Sequence, residues 1–214
     1  MALLDQARAQ GLGLWPVPAP IEVLWEPPRQ EQGLWVRDGM FRSPHADHLP
    51  QEAHLARVRE LSATQGASGA TSGVVSLAAS GEEGFEWRTR LCAPLARDGV
   101  RCLLLESPYY GLRRTREQTS HRLLRFSDLV RLNRATMEEA RSLLWLLAHE
   151  GQRRRAIAGF SMGGYMAAVS AAHTAGPLGC AVLAAGDSAA PVYTRCKLSL
   201  AIPFNRLHRP GQRP

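Results

Sequence analysis

The chain has 214 residues and a mass of 23.5 kDa, with 45% hydrophobic and 21% charged residues. That composition fits a globular domain with a sizeable core and excludes collagen, coiled coil and wholesale disorder, and no apolar run approaches the length of a membrane-spanning helix. The net charge is +7 and Lys197 is the sole lysine among 26 basic residues, but the arginines are scattered and no nucleic-acid-binding motif accompanies them, so no nucleic-acid partner is expected.

Residues 1–32 are rich in proline and glycine and read as a loosely structured or short-helical arm packed on the domain. Met1 to Pro20 lacks a basic stretch followed by an apolar one, so it is no secretory signal. Arg8 is a faint hint of a mitochondrial presequence, and Asp5 with the prolines at 16, 18 and 20 argues against it; an intracellular location is favoured. Residues 34–42 place Asp38-Gly39 between two short apolar segments, which predicts a β-hairpin turning there. Residues 54–61 alternate apolar and polar and fit either a strand or a helical turn. Residues 62–73 are small and polar, a loop.

From Val74 onward short apolar runs alternate with helical segments. Strands are predicted at 74–79, 100–106, 156–160 and 180–185. A helical segment ends near Arg97. A long helix spans 127–150, with Leu129, Leu132, Met137, Ala140, Leu144 and Leu147 near one face, Ser127 and Asp128 at its start and Gly151 at its stop. Another helix spans 161–175. Strands that are apolar throughout, separated by helices, imply a mostly parallel sheet covered on both faces. The cysteines form no zinc spacing and no disulfide framework. Cys92, Cys102 and Cys180 sit in apolar runs and read as buried inert thiols; no metal or cofactor is implied.

The informative motif is Gly159-Phe160-Ser161-Met162-Gly163, or G-x-S-x-G, between a predicted strand and a predicted helix. That context is what a nucleophile elbow requires. The turn is so sharp that neighbouring side chains crowd the backbone, hence the glycines. Ser161 then stands at the carboxyl end of the sheet as candidate nucleophile, and the Met162 backbone N–H at the helix start is a candidate oxyanion donor. The bland alternative is a glycine-rich turn with a serine that caps its helix. The second donor is expected from the loop after the first parallel strand, where Ser80 N–H is the candidate. Tyr109 and Tyr110, after the second strand, either line a substrate pocket or simply pack.

Taken together, the Ser107–Gly111 stretch SPYYG, the helix opening SDL at 127–129 and the run GFSMGGYMA at 159–167 resemble the α/β-hydrolase domain-containing protein 18 family. Asp38-Gly39, Phe41, Ser43-Pro44, Pro50 and Trp87-Arg88-x-Arg90 fit the same family. The resemblance covers residues 38–194. It implies an α/β-hydrolase fold with a mostly parallel sheet, helices on both faces and an N-terminal hairpin. It also implies a serine hydrolase of small-molecule or lipid acyl esters.

A serine nucleophile needs a base, and in this fold the chain order is Ser, then Asp or Glu, then His. After Ser161 there are two histidines. His173 lies twelve residues along the same helix, roughly 18 Å away, and His208 sits in a polar, proline-containing tail. Asp187, after the fourth strand, is the candidate acid, with a turn or cap residue as its alternative. The expectation is therefore an arm (1–32), an incomplete hydrolase domain (33–194) lacking its last strands, and a divergent tail (195–214). Its nucleophile would be impaired for want of a histidine. The alternative is a truncated, non-catalytic hydrolase-like chain that serves, if at all, in interactions.

Overall fold

A computed structural model of the protein describes residues 17–186. Eight strands are present: β1 (Leu24–Trp25), β2 (Arg29–Glu31), β3 (Leu34–Arg42), β4 (Leu55–Ser62), β5 (Ser72–Leu77), β6 (Val100–Leu105), β7 (Arg154–Phe160) and β8 (Gly179–Leu183). Three α-helices accompany them: α1 (Glu86–Arg97), α2 (Phe126–His149) and α3 (Met162–Ala172). All strands belong to one sheet, in the order β1-β3-β4-β6-β5-β7-β8, with β2 also pairing β3. Pairings from β1 through β4 to β6 are antiparallel, and β6-β5-β7-β8 is parallel.

The apolar runs feed both faces because successive strand side chains alternate. Val75, Leu77, Leu103, Leu105 and Ile157 pack under α2 and α3. Val74, Cys102 and Leu104 pack under α1 together with Cys92, Ala93 and Ala96. The expected parallel run is present as β6-β5-β7-β8 with helices on both faces, but the sheet as a whole is mixed, because β1 to β4 add four antiparallel pairings to the three parallel ones. All six residues of the predicted α2 stripe are buried. Each fully buried leucine of that helix, such as Leu132 or Leu144, contributes roughly 1.5–3 kcal/mol of burial. The helix begins one residue earlier than expected. Its start is fixed by Asp128, which accepts a hydrogen bond from the Arg125 backbone N–H at 2.9 Å; Ser127 is not the cap.

The hairpin turn is not at Asp38-Gly39. β3 runs straight through those residues, paired with Arg59 and Val58 of β4. Gly39 is there for space: a Cβ would come within 2.6 Å of the Trp25 ring. Asp38 is there for charge, accepting two hydrogen bonds from Arg59 and one from Arg29. The turn that does join two strands is Gln32-Gly33, between β2 and β3, where φ is +51 and +77. Two successive positive φ values are the signature of a tight hairpin turn. The described part of the expected arm (17–32) therefore adds two short strands to the sheet and no helix.

Two further expectations change. The segment leading to Arg97 becomes helical only at Glu86, because 79–82 forms a turn closed by Glu82 N–H to Ala79 O at 3.2 Å. Cys92 and Cys102 are buried, but Cys180 is exposed, since β8 is the last described strand of the sheet and all five of its residues are exposed. No described helix is long and apolar enough to cross a membrane.

Candidate active site

β7 delivers the chain to the carboxyl edge of the sheet, and α3 starts immediately after Ser161. Between them the backbone reverses in a single residue. Ser161 adopts φ +54, ψ −120, a region that non-glycine residues seldom occupy and that stores strain. Two hydrogen bonds hold it. Ser161 N–H donates to Leu183 O of β8 at 2.8 Å, and Tyr165 N–H donates to Ser161 O at 3.1 Å.

The glycines around it are sterically demanded. A Cβ on Gly163 would lie 2.5 Å from Leu77 O and 2.6 Å from Ala78 O, at the end of β5. One on Gly159 would collide with the Gly163 carbonyl, and one on Gly164 would lie 2.9 Å from the Ala185 Cβ. The Ser161 side chain makes no cap hydrogen bond to its own helix and is half-buried. Ser161 thus stands at the N-cap position of α3 without making the side-chain bond a capping serine usually makes. Met162 and Gly163 open α3, and the first amides of a helix carry its positive dipole end.

The loop after β5 approaches the same turn, since Leu77 O and Ala78 O are what the Gly163 position would strike. Ser80 and Gly81 occupy the middle of the 79–82 turn, and Gly81 takes φ +75. Ala79 N–H is engaged by the Glu82 carboxylate at 3.0 Å. Ser80 N–H has no acceptor among the described residues. The His121 imidazole lies over Gly81, where a Cβ would come within 2.9 Å of Cδ2. Glu82 and His121 are thus brought to this turn without either having been an expected site residue. The run Gly81-Glu82-Glu83-Gly84 was the available signal for the former, whereas nothing local marks the latter, forty residues further along the chain.

The tyrosines turn inward. Tyr109 and Tyr110 are each 2% exposed and belong to the core under α2. Tyr109 also walls a cavity of about 330 Å³ with Leu49, Pro50, Arg125, Asp128 and Arg131, which neither Ser161 nor Ser80 lines. Burial, then the nearby Asp128 carboxylate, hold the Tyr109 hydroxyl above the usual tyrosine range against the pull of Arg131.

Among the described residues no histidine hydrogen-bonds to Ser161. His173 sits at the end of α3 with its ring on Val169 O at 2.8 Å. His54 and His149 bond to Leu49 O and Trp145 O. Asp187, the expected acid, and His208 lie outside the described residues. No described group of three or more His, Cys, Asp or Glu is placed to hold a metal ion.

Comparison with known proteins places this geometry in context. The family model described as alpha/beta hydrolase domain containing 18 matches residues 14–212. The chain belongs to that family. The match runs past residue 194, where the resemblance was expected to end. Among solved structures, the chain is similar to a candidate acetyl xylan esterase from Bacteroides fragilis (12% identity, TM-score 0.57, covering 73% of this chain and 46% of that one). It is also similar to acetyl xylan esterase 1 from Thermoanaerobacterium sp. (13% identity, TM-score 0.49, 79% and 54%). A third is a cold-adapted esterase from an Arctic intertidal metagenomic library (18% identity, TM-score 0.45, 69% and 59%). The chain spans about half the length of the first two. At 12% identity the likeness to the Bacteroides fragilis structure speaks to fold alone, and the chain adopts the α/β-hydrolase fold.

Proposed function

We propose that this α/β-hydrolase is a serine hydrolase acting on carboxylic esters, small-molecule or lipid acyl, through Ser161. The observation that carries the reading is the strained backbone at Ser161, whose hydroxyl is left uncommitted to its helix. In the reaction the Ser161 Oγ attacks the ester carbonyl carbon and gives its proton to a general base. The carbonyl oxygen becomes an oxyanion beside the Met162 and Ser80 amides. The C–O bond to the alcohol then breaks, the alcohol leaves with a proton, and water hydrolyses the acyl-serine. Asp187 is the proposed acid.

The absence of a histidine partner for Ser161 among the described residues favours slow turnover, because alkoxide is scarce at neutral pH without a base; an oxyanion site alone still retains a small residual rate. It also favours the second reading, a hydrolase-like protein without turnover. A fluorophosphonate probe tests the first. The protein is expected to be labelled, with labelling abolished in Ser161→Ala; a folded sample that stays unlabelled overturns the nucleophile reading. Ester hydrolysis equal in the parent and Ser161→Ala decides for the second.

A further inference from the structure

The Arg88 guanidinium, in the first turn of α1, is 1% exposed. Taking a guanidinium out of water is expensive unless its donors are met, and here they are met with care. Nη1 donates to Ser76 O at 2.8 Å and Leu105 O at 2.9 Å, which are carbonyls near the carboxyl ends of the adjacent strands β5 and β6. Nη2 donates to Gly84 O at 3.3 Å. Nε donates to Glu82 Oε1 at 2.5 Å. The other oxygen of the same carboxylate, Oε2, accepts the Ala79 N–H. A second buried carboxylate, Glu106, takes Gly84 N–H at 3.2 Å and so ties the far end of the loop.

The loop between β5 and α1 is therefore gripped at both ends, and one of its amides is already spoken for. Ala79 N–H is turned onto Glu82. Ser80 N–H is left at the tip of the turn with no acceptor among the described residues. A hydrogen bond to an ionised carboxylate is roughly twice as strong as a neutral one. It therefore holds the 79–82 turn far more firmly than the single backbone bond from Glu82 N–H would.

From this we infer that Arg88 and Glu82 are positioning residues for the oxyanion site. They lock the 79–82 turn in the conformation that presents Ser80 N–H, rather than Ala79 N–H, to the oxygen that becomes negative. The inference rests on the proposed role of Ser161, but it concerns a different loop and different side chains. The two touch neither substrate nor nucleophile; they act through the backbone.

The test uses the full chain and the maximal rate of fluorophosphonate labelling at saturating probe. A misplaced oxyanion donor slows the covalent step without weakening probe binding, and losing one donor outright costs roughly 10²–10³ in rate. Glu82→Gln keeps an acceptor for one partner but loses the charge, so its maximal rate falls roughly tenfold. Glu82→Ala loses both contacts and falls roughly a hundredfold. In each the probe concentration at half-maximal rate stays at the parent's. Amide exchange at Ala79 accelerates in the same order, a reading that needs no activity. Arg88→Ala, whose removal strips four acceptors in the core, is followed only if it folds.

Maximal labelling rates in both Glu82 variants equal to the parent's overturn the proposal and leave the Ser161 reading standing. A purely structural role also overturns it: the melting temperature would fall while the folded fraction labels at the parent's maximal rate. A folded parent that the probe never labels overturns the Ser161 reading, and this inference with it.

Discussion

The two edges of the sheet are built on opposite principles. At the antiparallel edge, charge crosses from strand to strand. Arg59 and Arg29 converge on Asp38, and Arg37 and Arg101 converge on Glu60. Trp25 stacks under the Arg37 guanidinium at 4.3 Å. At the parallel end the last described strand carries no charge: β8 is Gly179-Cys180-Ala181-Val182-Leu183, and its neighbour β7, which opens on Arg154-Arg155, ends on Phe160, itself 39% exposed. The first edge is held by partners found across the sheet, the second by backbone geometry at one turn. Several of the arginines are thus architectural, binding strand to strand through buried or half-buried carboxylates.

That contrast predicts that removing a charge from the arginine-rich half costs stability, whereas changing the turn near β8 costs labelling first. The largest effect is expected at Glu139, which is fully buried and accepts two hydrogen bonds from Arg113, at 2.9 and 2.6 Å. Arg113 also donates to Glu106 O and Ala53 O. Glu139→Ala strands a buried guanidinium and should cost about 3–5 kcal/mol in urea unfolding. A loss under about 1 kcal/mol would mean that the pair is solvated. Next comes Gly163→Ala, whose methyl would strike the carbonyls ending β5. Overpacking of this kind costs about 1–3 kcal/mol, and because the clash lies between β5 and α3 it should also abolish labelling at Ser161. Normal labelling in that variant would mean the turn tolerates a side chain.

How much of this was legible in the sequence depends on whether the determining contact is local. The parallel strands and the long helix were, because their signals are periodic and short-range. So was the turn at Ser161, since both glycines that relieve it lie within two residues. Gly39 was misread because a glycine that makes room for Trp25 looks, in sequence, like a glycine that supplies a positive φ; only the neighbouring strand distinguishes them. Nothing in the sequence sets Arg113 apart from the other scattered arginines, because its carboxylate partner is 26 residues away and buried. Arg88 was noticed only as part of a family-like stretch. Its anchorage comes from the Ser76 and Leu105 carbonyls on two neighbouring strands, which the sequence does not bring together.

The Gln32-Gly33 turn sharpens the comparison from the other side, because there conformation matters and space does not. Gly33 has φ +77 and nothing within 4 Å of a hypothetical Cβ. Gly33→Ala should therefore cost only about 1 kcal/mol, from backbone strain alone. Gly33→Asn should recover part of it, because asparagine tolerates the left-handed region. Equal stability of all three would show that the β2–β3 hairpin opens without unfolding the sheet. Neither variant should alter labelling at Ser161, because three strands, β4, β6 and β5, separate β3 from β7 in the sheet order.

The smallest effect is electrostatic and belongs to Asp38. Burial works to raise its carboxyl, but the Arg59 hydrogen bonds and charge, with Arg29 behind them, outweigh it and hold the group below its ordinary range. A carboxyl whose folded value is depressed adds stability above its unfolded value near 3.8, and that stability is lost as pH falls through the folded value. Partly exposed pairs of this sort contribute under about 1 kcal/mol. Asp38→Asn should accordingly lower stability slightly at pH 7 and flatten the acid limb of the stability curve below pH 4. Raising the salt concentration should narrow the gap between parent and variant, because Asp38 and its arginines retain some contact with solvent. An acid limb identical in both proteins would show that Asp38 titrates alike in the folded and unfolded chains, and that its arginines add nothing to the pairing of β3 with β4.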